Sequence, residues 1–187
     1  VYTSAIPLGG SQITGDISIM LSIPIDSAER LKKESGAAWT EAIDPDEAVI
    51  VPGFGAREPV ELERRKLVSI VQPRVEEIFE MVNERLVKNG SKELIKAGVV
   101  LTGGSALLPH IDECARSVFG VPVRIGAPTA LPGLDVGFRS PAFSAAVGIV
   151  LLEAERIGTP EPSTRRKARK GKEGGFSPIK WIKDRFF

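Results

Sequence analysis

A glycine-rich turn between an apolar strand and a helix is the feature of this sequence best suited to binding a ligand. The strand is predicted over residues 98–102, and Gly103, Gly104 and Ser105 follow it directly. Glycines at such a turn let the backbone approach a ligand closely, and the positive end of the following helix attracts an anion. Many α/β proteins use the same turn only to reverse the chain, so the spacing leaves a ligand turn and a plain tight turn open.

A charged pair and a pair of glycines are further candidates. Glu29 and Lys32 are three residues apart, so they share a helix face and form either a ligand contact or an ordinary surface ion pair. Gly9 and Gly10 precede a predicted helix, where we expect them to serve mainly as structural turn residues.

Arg74 combines a positive charge with apolar neighbours. On the predicted helix it shares a face with Glu77 and Ile78. A basic residue beside apolar grooves suits an acidic, apolar peptide. The alternative is an ion pair within the helix, with Glu76 or Glu77, and the sequence does not separate these two possibilities.

The composition excludes several classes of protein. The chain has 187 residues, of which 42% are hydrophobic and 26% charged, and its net charge is +1, so it is neither a disordered chain nor a disulfide-stapled miniature. The longest apolar run, about ten residues, is shorter than the roughly 20 that span a bilayer. A single cysteine and a single histidine make a zinc site or an internal disulfide unexpected, and no catalytic residue or metal ligand is predicted.

The hydrophobic patterns predict strands that alternate with helices, hence an α/β domain with a sheet covered by helices. Strands are expected at residues 1–4, 5–8, 48–51, 98–102 and 121–125. Helices are expected from the N-cap Ser11 to residue 21, then over residues 29–34, 61–89, 111–118 and 140–156, with a small hairpin lobe at residues 37–59. Because a proline inside a helix costs about 3 kcal/mol, the helix over residues 61–89 should kink or divide at Pro73.

The end of the chain is basic, whereas the rest is acidic. Residues 165–185 carry nine Lys or Arg and two acidic residues, a net charge of +7, and the rest of the chain sums to −6. Such a segment favours an anionic membrane surface or nucleic acid. Nucleic-acid-binding arms usually interleave aromatic with basic residues, which residues 165–172 do not, so nucleic acid is not expected as a partner.

Residues 176–187 predict a short amphipathic helix at the end of a flexible basic linker over residues 158–175. On a helical wheel its isoleucines and phenylalanines form an apolar stripe about 120° wide. A helix this short is marginal in water and is expected to fold on an anionic membrane, with docking on its own domain as the alternative. The predicted membrane-binding residues are Phe176, Ile179, Trp181, Ile182, Lys183, Arg185, Phe186 and Phe187.

Four stretches, in this order and spacing, resemble the FtsA family of bacterial cell-division proteins within the actin-like ATPase superfamily. They are residues 7–14, 73–78 and 100–109 and the terminal helix that contains Trp181. The resemblance covers essentially the whole chain. It implies an α/β fold, the second domain of an actin-like (ribonuclease H-like) ATPase, with a sheet flanked by helices, an inserted small lobe and a C-terminal amphipathic helix. The implied subdomain 2A spans residues 1–15 and 61–157, and the inserted subdomain 2B spans residues 16–60.

The resemblance also implies roles for individual residues. In the superfamily a Gly-Gly-Ser turn lies against the adenosine, and a helix cradles the adenine and ribose from the opposite side. The implied nucleotide-binding residues are Gly103, Gly104 and Ser105, with Glu29 and Lys32 across the nucleotide. Arg74 and Ile78 are implied to bind the C-terminal peptide of the tubulin-like protein FtsZ.

The function that the resemblance implies is to tether the FtsZ ring to the cytoplasmic face of the bacterial inner membrane at the division site. ATP would be the cofactor, with Mg²⁺ in the full-length protein, and ATPase activity is expected to be weak at most. The implied partners are the FtsZ peptide, the anionic membrane, other division proteins and further copies in actin-like filaments. The alternative is another actin-like ATPase, of chaperone, pilus-assembly or plasmid-segregation type, with a basic tail that binds nucleic acid.

We expect this chain to be a fragment of such a protein. It opens at Val1 without an initiator methionine, and the phosphate motifs and catalytic carboxylate of the superfamily precede the matched region. ATP hydrolysis is therefore not expected from this chain alone. FtsA relatives also carry a longer hairpin between the positions of Ser4 and Ala5, which leaves the pairing of the first strand open.

Overall fold

The computed structural model describes residues 2–129 and 135–158, which divide into two compact units after Gly126. The helices of the first unit are α1 Gly10–Leu21, α2 Ile25–Ser35, α3 Arg64–Lys88 and α4 Ile111–Phe119. Its strands are β1 Ala48–Val51, β2 Val60–Glu63, β3 Val99–Leu101 and β4 Val123–Ile125. Short 3₁₀ turns lie at Thr40–Ala42, Lys92–Ala97 and Gly104–Leu107.

Strands β3 and β4 form a parallel pair with helix α4 between them along the chain. The register places Val99 beside Val123 and Leu101 beside Ile125. The predicted order of strand, glycine turn, helix and strand is confirmed. Since ligands of α/β folds bind beyond the carboxyl ends of parallel strands, the turn that starts at Gly103 lies at the functional edge of this pair.

Strands β1 and β2 form an antiparallel hairpin, in which Val51 pairs with Val60 and Ala48 with Glu63. The hairpin agrees with the predicted β-rich lobe. The predicted helix over residues 61–89, however, begins at Arg64, because residues 61–63 pair with β1 instead of starting the helix. The Arg64 N–H donates to the Glu47 carbonyl at 2.8 Å, so the hairpin leads directly into α3.

Helix α3 runs as one helix through Pro73, so of the two expectations, a kink or a division into two helices, the division is wrong. Pro73 lacks one backbone donor, but buried side chains on both sides of it hold the helix in a single piece. The buried residues of α3 are Leu67, Val68, Val71, Val75 and Phe79. The helix packs against both α1 and α4, and it therefore forms the centre of the hydrophobic core.

Residues 2–8 are not strands, contrary to the prediction. Arg85 of α3 donates from Nη1 to the Ser4 side chain and the Ala5 carbonyl, each at 2.6 Å, so this segment lies along a helix and not beside another strand. A strand requires a ladder partner, and the described residues provide none here. The segment and the helix form a partly open cavity of about 330 Å³ lined by Tyr2, Ser4, Ile6, Leu8, Ile78, Val82, Arg85 and Leu86.

The first two helices begin earlier than predicted. Helix α1 starts at Gly10, and the N–H of its cap Gly9 donates to the Gln12 side chain at 2.7 Å, so Ser11 lies inside the helix and does not cap it. Helix α2 starts at Ile25, because its first turn closes through a hydrogen bond from the Ala28 N–H to the Pro24 carbonyl. The predicted end of α2 before Gly36 is confirmed.

The second unit contains, among its described residues, the helix α5 Ser144–Gly158 preceded by 3₁₀ turns at Val136–Arg139 and Pro141–Phe143. Ser140 is an N-cap as predicted, its hydroxyl accepting from the Ala142 N–H at 3.4 Å, but it caps this 3₁₀ turn. The helix expected over residues 140–156 begins only at Ser144. The rings of Phe138 and Phe143 pack edge to face at 5.2 Å between centroids.

Candidate functional site

The Gly-Gly-Ser turn is held in a conformation that only glycine adopts easily. Gly103 has φ +97° and ψ 174°, a backbone region that is essentially restricted to glycine. The start of the turn is anchored to Gly126, the residue that follows β4: the Leu101 carbonyl accepts from the Gly126 N–H at 2.7 Å, and the Thr102 hydroxyl donates to the Gly126 carbonyl at 2.9 Å. Gly104 and Ser105 are exposed at the tip, so the turn presents open backbone.

A polar cluster joins α1 and α2 beside this turn. The Lys32 ammonium donates to the Gly10 carbonyl at 2.9 Å, to the Thr14 hydroxyl at 2.8 Å and to Oε2 of Glu29 at 2.6 Å. The Thr14 hydroxyl also hydrogen-bonds Oε2 of Glu29. Lys32 is only 8% exposed, so the predicted Glu29–Lys32 pair exists as an ion pair, but its lysine is buried among polar partners and is not a surface group.

Gly10 is the residue at which the turn and the cluster meet. A Cβ atom on Gly10 would lie 2.7 Å from the Ser105 hydroxyl and 3.4 Å from the Lys32 ammonium. A side chain there would displace one or both, so a glycine is required for this close approach. The structure therefore brings Ser105, from the predicted turn, next to Lys32, from the predicted helix pair.

The carboxylate of Glu29 is strongly stabilised in its charged form. Partial burial by itself raises the pKa of Glu29, but hydrogen bonds from Lys32, Thr14 and Lys33, together with the positive charge of Lys32, outweigh burial and lower that pKa to about 2. Glu29 therefore remains ionised at all pH values near neutrality.

One side of the cluster is open to a ligand. Oε1 of Glu29 is contacted only by Lys33, at 3.1 Å, within the described residues, and the Lys33 side chain is 70% exposed. Nothing lies within 4 Å of the position where Gly104 would carry a Cβ. An exposed carboxylate oxygen accepts hydrogen bonds, so it suits a hydroxyl of a sugar, while the open turn can lie against a flat ring.

The sequence analysis did not identify Thr14, which belongs to this cluster, or Asp16, which forms an ion pair with Arg74. Thr14 is 3% exposed, on the same face of α1 as Ile13 and Ile17. A hydroxyl among buried apolar residues is a signal that could have identified Thr14, because such a group needs a hydrogen-bond partner. Asp16 carried no comparable signal, since an aspartate in an amphipathic helix is usually a solvent-exposed residue.

Arg74 is engaged by two carboxylates. Its guanidinium donates from Nε to Oδ2 of Asp16 at 2.6 Å and from Nη2 to Oδ1 at 3.1 Å, and Nη1 bonds Glu77. Of the two glutamates that the sequence left open, the structure selects Glu77, while Glu76 accepts from Gln72 at 2.7 Å. These hydrogen bonds, above all the ones that Arg74 donates to Asp16, raise the pKa of Arg74.

Other candidate chemistry is sparse in the part of the chain that the structure describes. There, no group of three or more His, Cys, Asp or Glu side chains is arranged to hold a metal ion. No described helix is both long and apolar enough to cross a bilayer. The predicted linker over residues 158–175 lies outside the described residues except for Gly158, which ends α5 and so is helical. The membrane-binding residues of the terminal helix, from Phe176 to Phe187, also lie outside the described residues.

Comparison with known sequences places the chain among bacterial cell-division proteins of one family. The family model "Cell division protein FtsA" matches residues 1–148. A curated cell division protein FtsA from Neisseria meningitidis serogroup B is 38% identical over 189 aligned positions, covering 99% of this chain and 46% of the relative. The FtsA protein of Borreliella burgdorferi is 39% identical over 156 positions, covering 83% of this chain and 38% of the relative. That of Escherichia coli K12 is 36% identical over 156 positions, covering 80% of this chain and 37% of the relative. The chain thus spans less than half the length of these curated relatives.

Comparison with solved structures agrees with the predicted fold. MreB 5 of Spiroplasma citri bound to AMPPNP superposes with a TM-score of 0.62 and 17% sequence identity over 81% of this chain and 46% of that structure. The same protein bound to ADP gives a TM-score of 0.60 and 16% identity over 83% of this chain and 48% of that structure. These similarities confirm the actin-like α/β fold.

Proposed function

Because the chain belongs to the FtsA family of cell division proteins, we propose that it is the nucleotide-binding second domain of an actin-like protein that tethers the FtsZ ring to the membrane. The family membership favours this role over the chaperone, pilus-assembly and plasmid-segregation types. In this proposal residues 1–15 and 61–157 form subdomain 2A, and residues 16–60 form subdomain 2B.

The convergence of the Gly-Gly-Ser turn and the Glu29–Lys32 pair at Gly10 is the observation that carries the nucleotide-binding proposal. The two groups are 71 or more residues apart in sequence, yet Ser105 and Lys32 both lie against Gly10. The nucleotide is ATP, with Gly103, Gly104 and Ser105 on one side of the nucleoside and the Glu29–Lys32 pair on the other, where Glu29 contacts the ligand and Lys32 holds Glu29 in place. The phosphates and Mg²⁺ would be held by residues outside this chain, in the full-length protein.

Equilibrium titration of the full-length protein with Mg-ATP tests this proposal. Glu29→Gln removes the negative charge while keeping the shape of the side chain, and we expect it to weaken ATP binding about tenfold, the effect of losing a charge-assisted hydrogen bond. Glu34→Gln, on the same helix but exposed, is the matched control and should bind as wild type. Equal affinity of Glu29→Gln and wild type, or no ATP binding by the wild type, would contradict the proposal.

The FtsZ C-terminal peptide is the proposed partner of Arg74 and Ile78. Ile78 lines the apolar cavity beside α3, and the Arg74 guanidinium lies on the same helix one turn earlier. Glu77 is the more exposed of the two carboxylates on Arg74, at 49% against 27% for Asp16, so an acidic peptide would compete first with Glu77. A loss of peptide binding in Arg74→Ala or Ile78→Ala, measured by fluorescence anisotropy, is the expected result. Unchanged binding in both variants would place the peptide elsewhere.

Attachment to the cytoplasmic face of the inner membrane, at the division site, is proposed for the terminal amphipathic helix. The apolar stripe of this segment would contribute about 1.5–3 kcal/mol for each fully buried side chain, and each basic residue near anionic lipid adds about 1 kcal/mol. Deleting residues 176–187 should abolish flotation with anionic liposomes. Flotation that survives the deletion would overturn the assignment. We also propose that the membrane-bound protein assembles into actin-like filaments and contacts other division proteins.

A further inference from the structure

The Lys32 ammonium has no hydrogen-bonding capacity left for a ligand. An ammonium group carries three N–H donors, and three acceptors surround it: the Gly10 carbonyl at 2.9 Å, the Thr14 hydroxyl at 2.8 Å and Oε2 of Glu29 at 2.6 Å. Its side chain is only 10% exposed. Lys32 is therefore an internal link between α1 and α2, whereas the resemblance implied a direct contact with the nucleotide.

The Thr14 hydroxyl lies at the centre of this link. Its oxygen accepts from Lys32 at 2.8 Å, and its single proton has two acceptors in reach, the Gly10 carbonyl at 3.0 Å and Oε2 of Glu29. Because Lys32 also donates to the Gly10 carbonyl, and because a charged acceptor forms the stronger hydrogen bond, the Thr14 hydroxyl donates to the carboxylate of Glu29. Thr14 thus connects the cation and the anion of the same helix face to α1.

We infer that Thr14 is a positioning residue of the nucleotide site, whose hydroxyl holds Oε2 of Glu29 and the Lys32 ammonium so that Oε1 of Glu29 faces the ligand. This inference rests on the proposed nucleotide-binding function. Thr14 touches no ligand; it acts through Glu29. The exposed fraction of the two partners supports this division of roles, since the Glu29 side chain is 36% exposed and that of Lys32 is 10% exposed.

Substitutions at Thr14 in the full-length protein test the inference through Mg-ATP affinity. Thr14→Val keeps the shape of the side chain but removes the hydroxyl, and we expect ATP affinity to fall about tenfold, because the two charge-assisted hydrogen bonds that hold Glu29 and Lys32 in place are lost. Thr14→Ser keeps the hydroxyl and should stay within about threefold of wild type. Ile13→Val, a matched buried change on the same helix, should reduce stability while leaving ATP affinity unchanged. Wild-type affinity in Thr14→Val, or equal loss in Thr14→Val and Thr14→Ser, would overturn the inference.

A second measurement needs no nucleotide and separates this inference from the proposed function. Acylation of lysine amines, followed residue by residue with mass spectrometry, reports how well Lys32 is held, with the exposed Lys33 as internal reference. We expect Thr14→Val to raise the Lys32-to-Lys33 rate ratio several-fold and Thr14→Ser to leave it near wild type. Thr14→Ala replaces the valine variant if valine prevents folding. If the wild-type protein fails to bind ATP, the proposed function fails, but the rate ratio still shows whether the Thr14 hydroxyl holds Lys32. An unchanged ratio in the variant without the hydroxyl would overturn that role of Thr14.

Discussion

Arg74 of α3 donates two parallel hydrogen bonds to Asp16 of α1, from Nε to Oδ2 at 2.6 Å and from Nη2 to Oδ1 at 3.1 Å. This paired geometry needs the planar guanidinium, which a lysine cannot reproduce. The two residues are 58 positions apart, and each side chain is less than 30% exposed. The pair therefore fixes the position of α1, which carries Gly10 and Thr14, relative to the central helix α3.

A double-mutant cycle with Arg74→Ala and Asp16→Ala should give a coupling free energy of about 1 kcal/mol, because the pair is bidentate and partly shielded from solvent. The free energy of unfolding of the four proteins, from chemical denaturation, measures it. Lys88 and Glu84, a pair at 3.2 Å with both side chains more than 60% exposed, is the matched control and should couple by only about 0.3 kcal/mol. Equal coupling in both pairs would show that the bidentate geometry adds nothing.

The pH dependence of stability should carry the signature of Glu29. The pKa of Glu29 is about 2 in the folded protein, against an ordinary value of 4.5. Since the folded pKa is the lower one, the stabilising contribution of this carboxylate is fully present above about pH 4.5 and is lost as the pH falls toward 2. Denaturation of wild type and Glu29→Gln should give a difference in unfolding free energy at pH 7 that shrinks steadily below pH 4.5.

Glu34→Gln, which removes an exposed carboxylate from the same helix, is the matched control for the loss of one acidic charge on α2. A Glu29→Gln difference that stays constant down to pH 2.5 would contradict the hydrogen-bonded arrangement of Lys32, Thr14 and Glu29.

Gly103→Ala should destabilise the protein by about 1–3 kcal/mol, because φ +97° with ψ 174° is a conformation that residues with a Cβ avoid. Gly104→Ala is the matched control: its φ is not in the positive range and nothing lies within 4 Å of the added methyl group, so its effect should be within about 0.5 kcal/mol. Thermal unfolding of the two variants, read against wild type, checks the difference. Similar losses would show that the turn does not depend on the backbone of Gly103.

Cys114 should be unreactive toward thiol reagents in the folded protein. The residue is fully buried in the core beside α3, and burial, with a smaller effect of the Glu76 charge, raises its pKa to about 12. The thiolate is the reactive form, so at pH 8 both its population and its accessibility are low. Alkylation with iodoacetamide should proceed only at the rate of unfolding, and rapidly in denaturant. Fast labelling under native conditions would mean that the core around α4 opens.

The local sequence patterns predicted the elements that form the candidate site. The apolar run of β3, the glycines after it and the helix α4 could be read in order, and the i, i+3 spacing put Glu29 and Lys32 on one face of α2. The strand over residues 48–51 and the Ser140 cap were equally local, since each depends on residues within a few positions of itself. Such features need no knowledge of the rest of the fold.

The tertiary structure decided everything that depends on distant partners. Whether Pro73 breaks its helix depended on the buried side chains of α3 before and after the proline. Whether residues 2–8 form a strand depended on a partner strand, which no nearby sequence pattern supplies. Thr14 gained its role from Glu29 and Lys32, 15 and 18 residues away, and Arg74 found Asp16 at a separation of 58. Periodicity describes which side of an element is apolar, but only packing determines which polar groups that side brings within 3 Å of one another.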